Sequence, residues 1–174
     1  MKRKVLIVSI LLHAALLITV YVLQGVILPF LRIGGLVPLI LPITVAGVAL
    51  YEGRYIGGLT GLFAGILCDI SFNQPVGIFT VTLTIIGLFI GALSDAVVLQ
   101  GFATYFLMCA TTLVISTIVQ IVPLIVYLGI PPQALIGTAI GQFVYSLVLA
   151  FPLWFFIRAL GKRADRVGLQ RIVS

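Results

Sequence analysis

Charge is nearly absent from the body of this chain: between Val5 and Ile157 the only Asp, Glu, Lys or Arg residues are Arg32, Glu52, Arg54, Asp69 and Asp95. Such a stretch cannot dress a water-soluble surface, since about a quarter of a soluble domain's residues are charged. Here 8% are charged and 62% hydrophobic. A helix needs about 20 apolar residues to cross a bilayer, so six crossings take roughly 120 residues. Out of 174, that leaves short turns and two tails, with no room for a soluble catalytic or binding domain. The formal net charge of +6 does not describe a nucleic-acid-binding surface, because the basic residues sit at the chain ends, outside the apolar runs. The expected fold class is an all-α integral membrane protein, a compact bundle of about six transmembrane helices.

One transmembrane domain is expected over 1–157, with a basic tail over 158–174. Met1-Lys2-Arg3-Lys4 precedes an apolar run from Val5 to Leu31. It is too long for a signal-peptide core and has no small-x-small cleavage site, so it reads as a retained helix over about 5–26. A second span, about 36–51, is short and carries Pro38 and Pro42. Such residues are tolerated at membrane depth only where neighbours or water satisfy the freed backbone groups; a re-entrant or tilted segment is the other reading. The Glu52-Gly53-Arg54 turn fits only an antiparallel helical hairpin leading into a third span, about 55–70. After the loop Ser71–Gly77 come spans at about 78–95, 102–128 and, beyond Gly129-Ile130-Pro131-Pro132, 133–157. With both ends on one side, nine of ten Lys and Arg share that side and only Arg32 opposes them. Positive loops stay in the cytoplasm, so both termini are expected there. The tail reads as a short amphipathic helix on anionic headgroups, with Leu160, Val167 and Ile172 inward and each basic residue contributing about 1 kcal/mol. A plain topology anchor is the simpler alternative.

Gly53, Gly57, Gly61, Gly65 and Asp69 recur at a spacing of four. Each step drifts about 40° around the helix, the geometry of a right-handed close crossing in which missing side chains let two backbones touch. Gly58 and Ala64 widen the groove. Gly87, Gly91 and Asp95 repeat the pattern, and the string from Gly61 to Asp69 aligns without a gap on that from Gly87 to Asp95. The echo reads as two helices of similar packing chemistry running in opposite directions, with an internal duplication left open. A weaker echo is Gly137, Gly141, Tyr145. An acid deep in hydrocarbon costs about 2.5–3.5 kcal/mol on insertion scales; Asp69 and Asp95 are expected near opposite membrane faces instead. Each then caps or anchors a helix end, or Asp69 joins the Asn73–Gly77 loop in a partner-binding or cavity-rim surface. Their separation argues against a proton relay or a paired-carboxylate site.

The remaining polar residues make no catalytic pattern. His13, the single histidine, follows Ser9 by four residues, but no G-x-S-x-G elbow or orienting acid accompanies the pair. A histidine bonded to a neighbouring helix is the expectation. One His and two Cys do not supply a zinc set. Cys68 and Cys109 are expected at different depths, too far apart for a disulfide, and no phosphate-binding loop occurs. Thr112, Ser116 and Gln120, then Thr138, Gln142 and Ser146, form two polar faces. They are expected to bond to one another, each contact contributing about 0.6 kcal/mol, or else to line a small cavity.

The hairpin turn, the helix with Gly57, Gly61 and Gly65, the acid Asp69 four residues on, and the loop ending Pro75-x-Gly77 together resemble the MreD family of rod-shape-determining membrane proteins. Size, span number and basic tail agree with that likeness, which implies a non-enzymatic scaffold of bacterial cell-wall elongation in the inner membrane, without a cofactor. The partners it implies are the single-span protein MreC, the actin-like filament MreB, and RodA with its transpeptidase, besides membrane lipids. The partner-binding and helix-packing surface is then expected at Gly57, Gly61, Gly65, Asp69, Pro75 and Gly77, with Gly87, Gly91 and Asp95 on the fourth span. The family fold is similar to the S components of energy-coupling-factor vitamin transporters, which gives the alternative function. Such a binder needs a pocket with several convergent polar groups; the loops at 71–77 and 129–133 offer Asn73, Gln74 and Gln133, with Phe72 the only aromatic residue.

Overall fold

A computed structural model of the full chain describes residues 13–27, 38–72, 77–96, 101–129 and 131–166. These are almost entirely helical, with no strand among them. The helices are α1 (13–27), whose last turn Leu23–Ile27 is a π-turn, α2 (40–52), α3 (54–72), α4 (Ile78–Ala96), α5 (Phe102–Leu128) and α6 (Pro132–Arg166). Three stretches, Ile78–Ala96, Phe102–Val126 and Leu135–Ile157, are long and apolar enough to cross a membrane. The chain is a helical membrane protein.

The second expected span is not among these three stretches. Its described helix, α2, has 13 residues (40–52) and rises about 20 Å, short of the ~30 Å hydrocarbon layer. It is not a lipid-facing crossing but the axis of the bundle: Leu39, Ile40, Leu41, Ile43, Val45, Ala46, Ala49 and Leu50 are all at most 2% exposed. Residues 36–37 lie outside the described residues. Because α2 starts inside the bundle, its N-terminal N–H groups need partners there. Ser146 Oγ accepts from Leu39 N–H at 2.9 Å, and Gln24 Oε1 accepts from both Ile40 and Leu41 N–H at 3.0 Å. The fourth orphan position is Pro42, which has no N–H to satisfy. Here the two prolines mark a buried helix start.

Gly53 separates α2 from α3 in a single residue, with φ 82° and ψ −175°, a conformation essentially restricted to glycine. The chain folds back so tightly that a Cβ on Gly57 would overlap Ala49. α3 and α4 then pack with their backbones in contact. α5 ends in the left-handed Gly129, whose N–H donates to Ile125 O at 3.1 Å, and α6 begins on a proline at Pro132, where the missing N–H costs nothing. Besides the Leu39–Ser146 bond, α6 is tied to the core where Tyr105 Oη donates to Ala150 O (3.2 Å) and Trp154 Nε1 donates to Tyr51 Oη (3.0 Å). Around them Phe102, Phe106, Phe151, Trp154 and Phe155 form an aromatic cluster with ring centroids 4.8–6.0 Å apart.

The boundary expected at residue 157 is not a break. α6 runs without interruption to Arg166, 35 residues in all, so residues 158–166 continue the membrane helix rather than forming a separate helix along the surface. Leu160 falls in this extension; Val167 and Ile172 lie outside the described residues.

Candidate functional site

The glycine stripe and its two acids form one unit. On α3, a Cβ at Gly57 would overlap the Gly87 carbonyl, one at Gly61 the Leu83 carbonyl, and one at Gly65 the backbone of Thr80. On α4, a Cβ at Gly87 would overlap the Gly57 carbonyl and one at Gly91 the backbone of Arg54. Backbone therefore lies on backbone along the length of the pair, the contact that small residues permit. The groove expected to receive another chain's helix is filled by α4 of this chain, and that corrects the partner-binding reading of Gly57, Gly61 and Gly65.

Asp69, 5% exposed, ends the stripe on α3 and turns onto the start of α4. Its carboxylate accepts from Gly77 N–H (2.9 Å), Phe79 N–H (2.9 Å), Thr80 N–H (3.2 Å) and Thr80 Oγ1–H (2.6 Å). A negative charge at a helix N-terminus meets both the unpaired N–H groups and the positive end of the dipole. Gly77 reaches it with φ 105°, a backbone that a side chain would strain. Pro75, named with it, lies outside the described residues.

Asp95 does the same at the other end of the pair. Its Oδ2 accepts from Arg54 N–H at 3.1 Å, at the start of α3, and its carboxylate lies against Gly53. Beside it Ser94 Oγ donates to Leu50 O at 2.6 Å, closing the C-terminal end of α2. Unlike Asp69, Asp95 is exposed. The exposed Arg54 guanidinium donates to Tyr55 Oη at 2.7 Å, and that bond raises its already high pKa.

These contacts obey an internal two-fold. Advancing α3 by 26 positions (Gly61 to Gly87, Gly65 to Gly91, Asp69 to Asp95) maps it onto α4. The contact of Gly57 with Gly87 becomes that of Leu83 with Gly61; Gly65 on Thr80 becomes Gly91 on Arg54. Asp69 on Thr80 N–H becomes Asp95 on Arg54 N–H. The echo in the sequence is thus a symmetric hairpin in which each helix supplies the acid that caps the other. No family model, no curated protein and no solved structure matches this chain.

Elsewhere the ionisable groups join helices rather than converge. His13 Nε2 lies 3.9 Å from Glu52 Oε1, tying α1 to the hinge. The cleft between His13, Ala14 and Leu17 on α1 and Ile56, Thr60 and Phe63 on α3 holds about 30 Å³, room for a water and little more. Cys68 and Cys109 are both buried and free. Among the described residues no three His, Cys, Asp or Glu side chains could hold a metal. Sequence reasoning missed Gln24 and did not see Ser146 as a cap. The available signal was a lone glutamine in an apolar run, upstream of a proline-marked helix start that had to be capped by something.

Proposed function

We propose that the chain is a non-enzymatic, multi-pass scaffold of the bacterial cell-wall elongation machinery, resembling MreD, in the inner membrane with both termini in the cytoplasm. It would hold an MreC-like single-span protein and, through it, the MreB filament and RodA with its transpeptidase. The observation that supports this reading is the convergence of Gly57, Gly61, Gly65, Asp69 and Gly77, the residues that carry the resemblance, on a single hairpin in which each has a defined contact. The basic extension 158–166 leaves the membrane helix at the Arg54 end, where Trp154 meets Tyr51, in keeping with a cytoplasmic end facing filament or anionic lipid.

With the ridge between α3 and α4 filled, a partner's span docks on an outward face. The full chain, co-expressed with tagged MreC from the same genome, should be retained on the affinity resin. Tryptophan at one of two outward positions, Ile85 or Ile140, both 60% exposed, should weaken that retention without lowering membrane insertion. Failure to retain the wild-type chain, together with its recovery bound to ATP-binding-cassette subunits, would replace this reading by the vitamin-transporter alternative.

A further inference from the structure

Thr112 and Ser146, on the polar faces of α5 and α6, bond elsewhere than to each other. Thr112 Oγ1 donates back to Met108 O at 2.8 Å, Ser146 is engaged by Leu39 N–H and donates to Gln142 O at 2.6 Å, and Thr138 is exposed. Ser116 Oγ, Thr117 Oγ1 and Gln120 Oε1 are buried with no hydrogen-bond partner among the described residues, and Ser116 is 0% exposed. Residues three and four apart are neighbours on a helix surface, so the three atoms share one patch. Pro123 lies inside the same helix and offers no N–H to the Val119 carbonyl one turn back, which adds an acceptor beside Gln120. The hydroxyls can donate or accept, whereas the amide oxygen and the carbonyl only accept. The acceptors outnumber the two hydroxyl donors, so a group that itself donates would complete the patch.

Its depth is fixed by packing. Tyr105 lies against Gly47, with α2 running toward the Gly53 end and α5 running away from it. From Tyr105 to Ser116 the helix rises about 16 Å, and from Gly47 back to Leu39 about 12 Å. The patch therefore lies near the level of the buried start of α2, where Gln24 and Ser146 already bring polar atoms into the bundle. Buried polar groups are almost always paired, so three orphans on one turn, without a partner among the described residues, point to an occupant.

We propose that Ser116, Thr117 and Gln120, with the Val119 carbonyl, bind a small hydrogen-bond donor inside the bundle: enclosed water, or the hydroxyl of a small polyol. This does not depend on the scaffold reading. The test is thermal unfolding of the full chain in detergent with Ser116→Ala, Thr117→Val and Gln120→Leu made singly. Each should lower the midpoint by about 2–4 °C, the shift for losing roughly one satisfied hydrogen bond in a chain of this size. Unchanged or raised midpoints would overturn the proposal, because deleting an unsatisfied buried polar atom relieves a penalty. Ser116→Ala only removes an atom, so it remains informative if Gln120→Leu fails to fold. Dialysis into polyol-free buffer separates the two donors. A wild-type midpoint that survives dialysis indicates water. One that falls, and is restored by glycerol in the wild type but not in Gln120→Leu, indicates a hydroxyl ligand.

Discussion

At the scale of single residues, glycines with the same spacing have opposite meanings. Gly61 faces the Leu83 carbonyl with no space for a methyl group, while Gly137 on α6 has nothing within 4 Å of its Cβ position. Alanine at Gly61 should destabilise by about 1–3 kcal/mol, the cost of overpacking a closed contact. Alanine at Gly137 should be neutral or stabilise by up to about 1 kcal/mol, from helix propensity alone. Thermal midpoints in one detergent would show the two signs. The acids differ similarly. Asp69→Asn leaves buried N–H groups with a poorer acceptor and should cost about 1–3 kcal/mol; Asp95→Asn, at an exposed helix start, should cost about 0.3–1 kcal/mol. Equal losses would contradict the assignment of Asp69 as the buried cap. The spacing of four made the stripe and its acids legible in the sequence. Spacing cannot say which chain lies in the groove, because one's own helix and a partner's helix demand the same small residues.

At the scale of elements, the sequence marks where helices end better than where they lie. The Glu52-Gly53-Arg54 turn and the Gly129–Pro132 break are local backbone chemistry, and both occur where the residues place them. The position of α2 is a tertiary fact: an apolar stretch reads the same whether lipid or protein surrounds it. Its two prolines were the clue, since together they require caps from elsewhere in the chain. Gln24 is the test of that dependence. Gln24→Leu would orphan the N–H groups of Ile40 and Leu41, each at about 1–3 kcal/mol. The predicted outcome is a sharp fall in the thermal midpoint with membrane insertion intact. A midpoint unchanged from wild type would show that the π-turn of α1 does not cap α2.

At the scale of the whole molecule, a symmetric hairpin (α3 and α4) packs beside a fully sheathed helix, with two longer helices tied to that core through Tyr105 and Trp154. A partner's helix must dock on an outward face, for the glycine-lined surface of α3 is already occupied by α4. Disulfide trapping in intact membranes asks this directly. The Cβ position of Gly58 lies against the Leu88 side chain, so cysteines at both sites, in a chain with Cys68 and Cys109 replaced by alanine, should bridge α3 to α4 on mild oxidation. The bridged peptide should form within one chain and without any partner co-expressed. Absence of a 58–88 bridge, or a bridge that joins two chains or forms only when a partner is present, would contradict it.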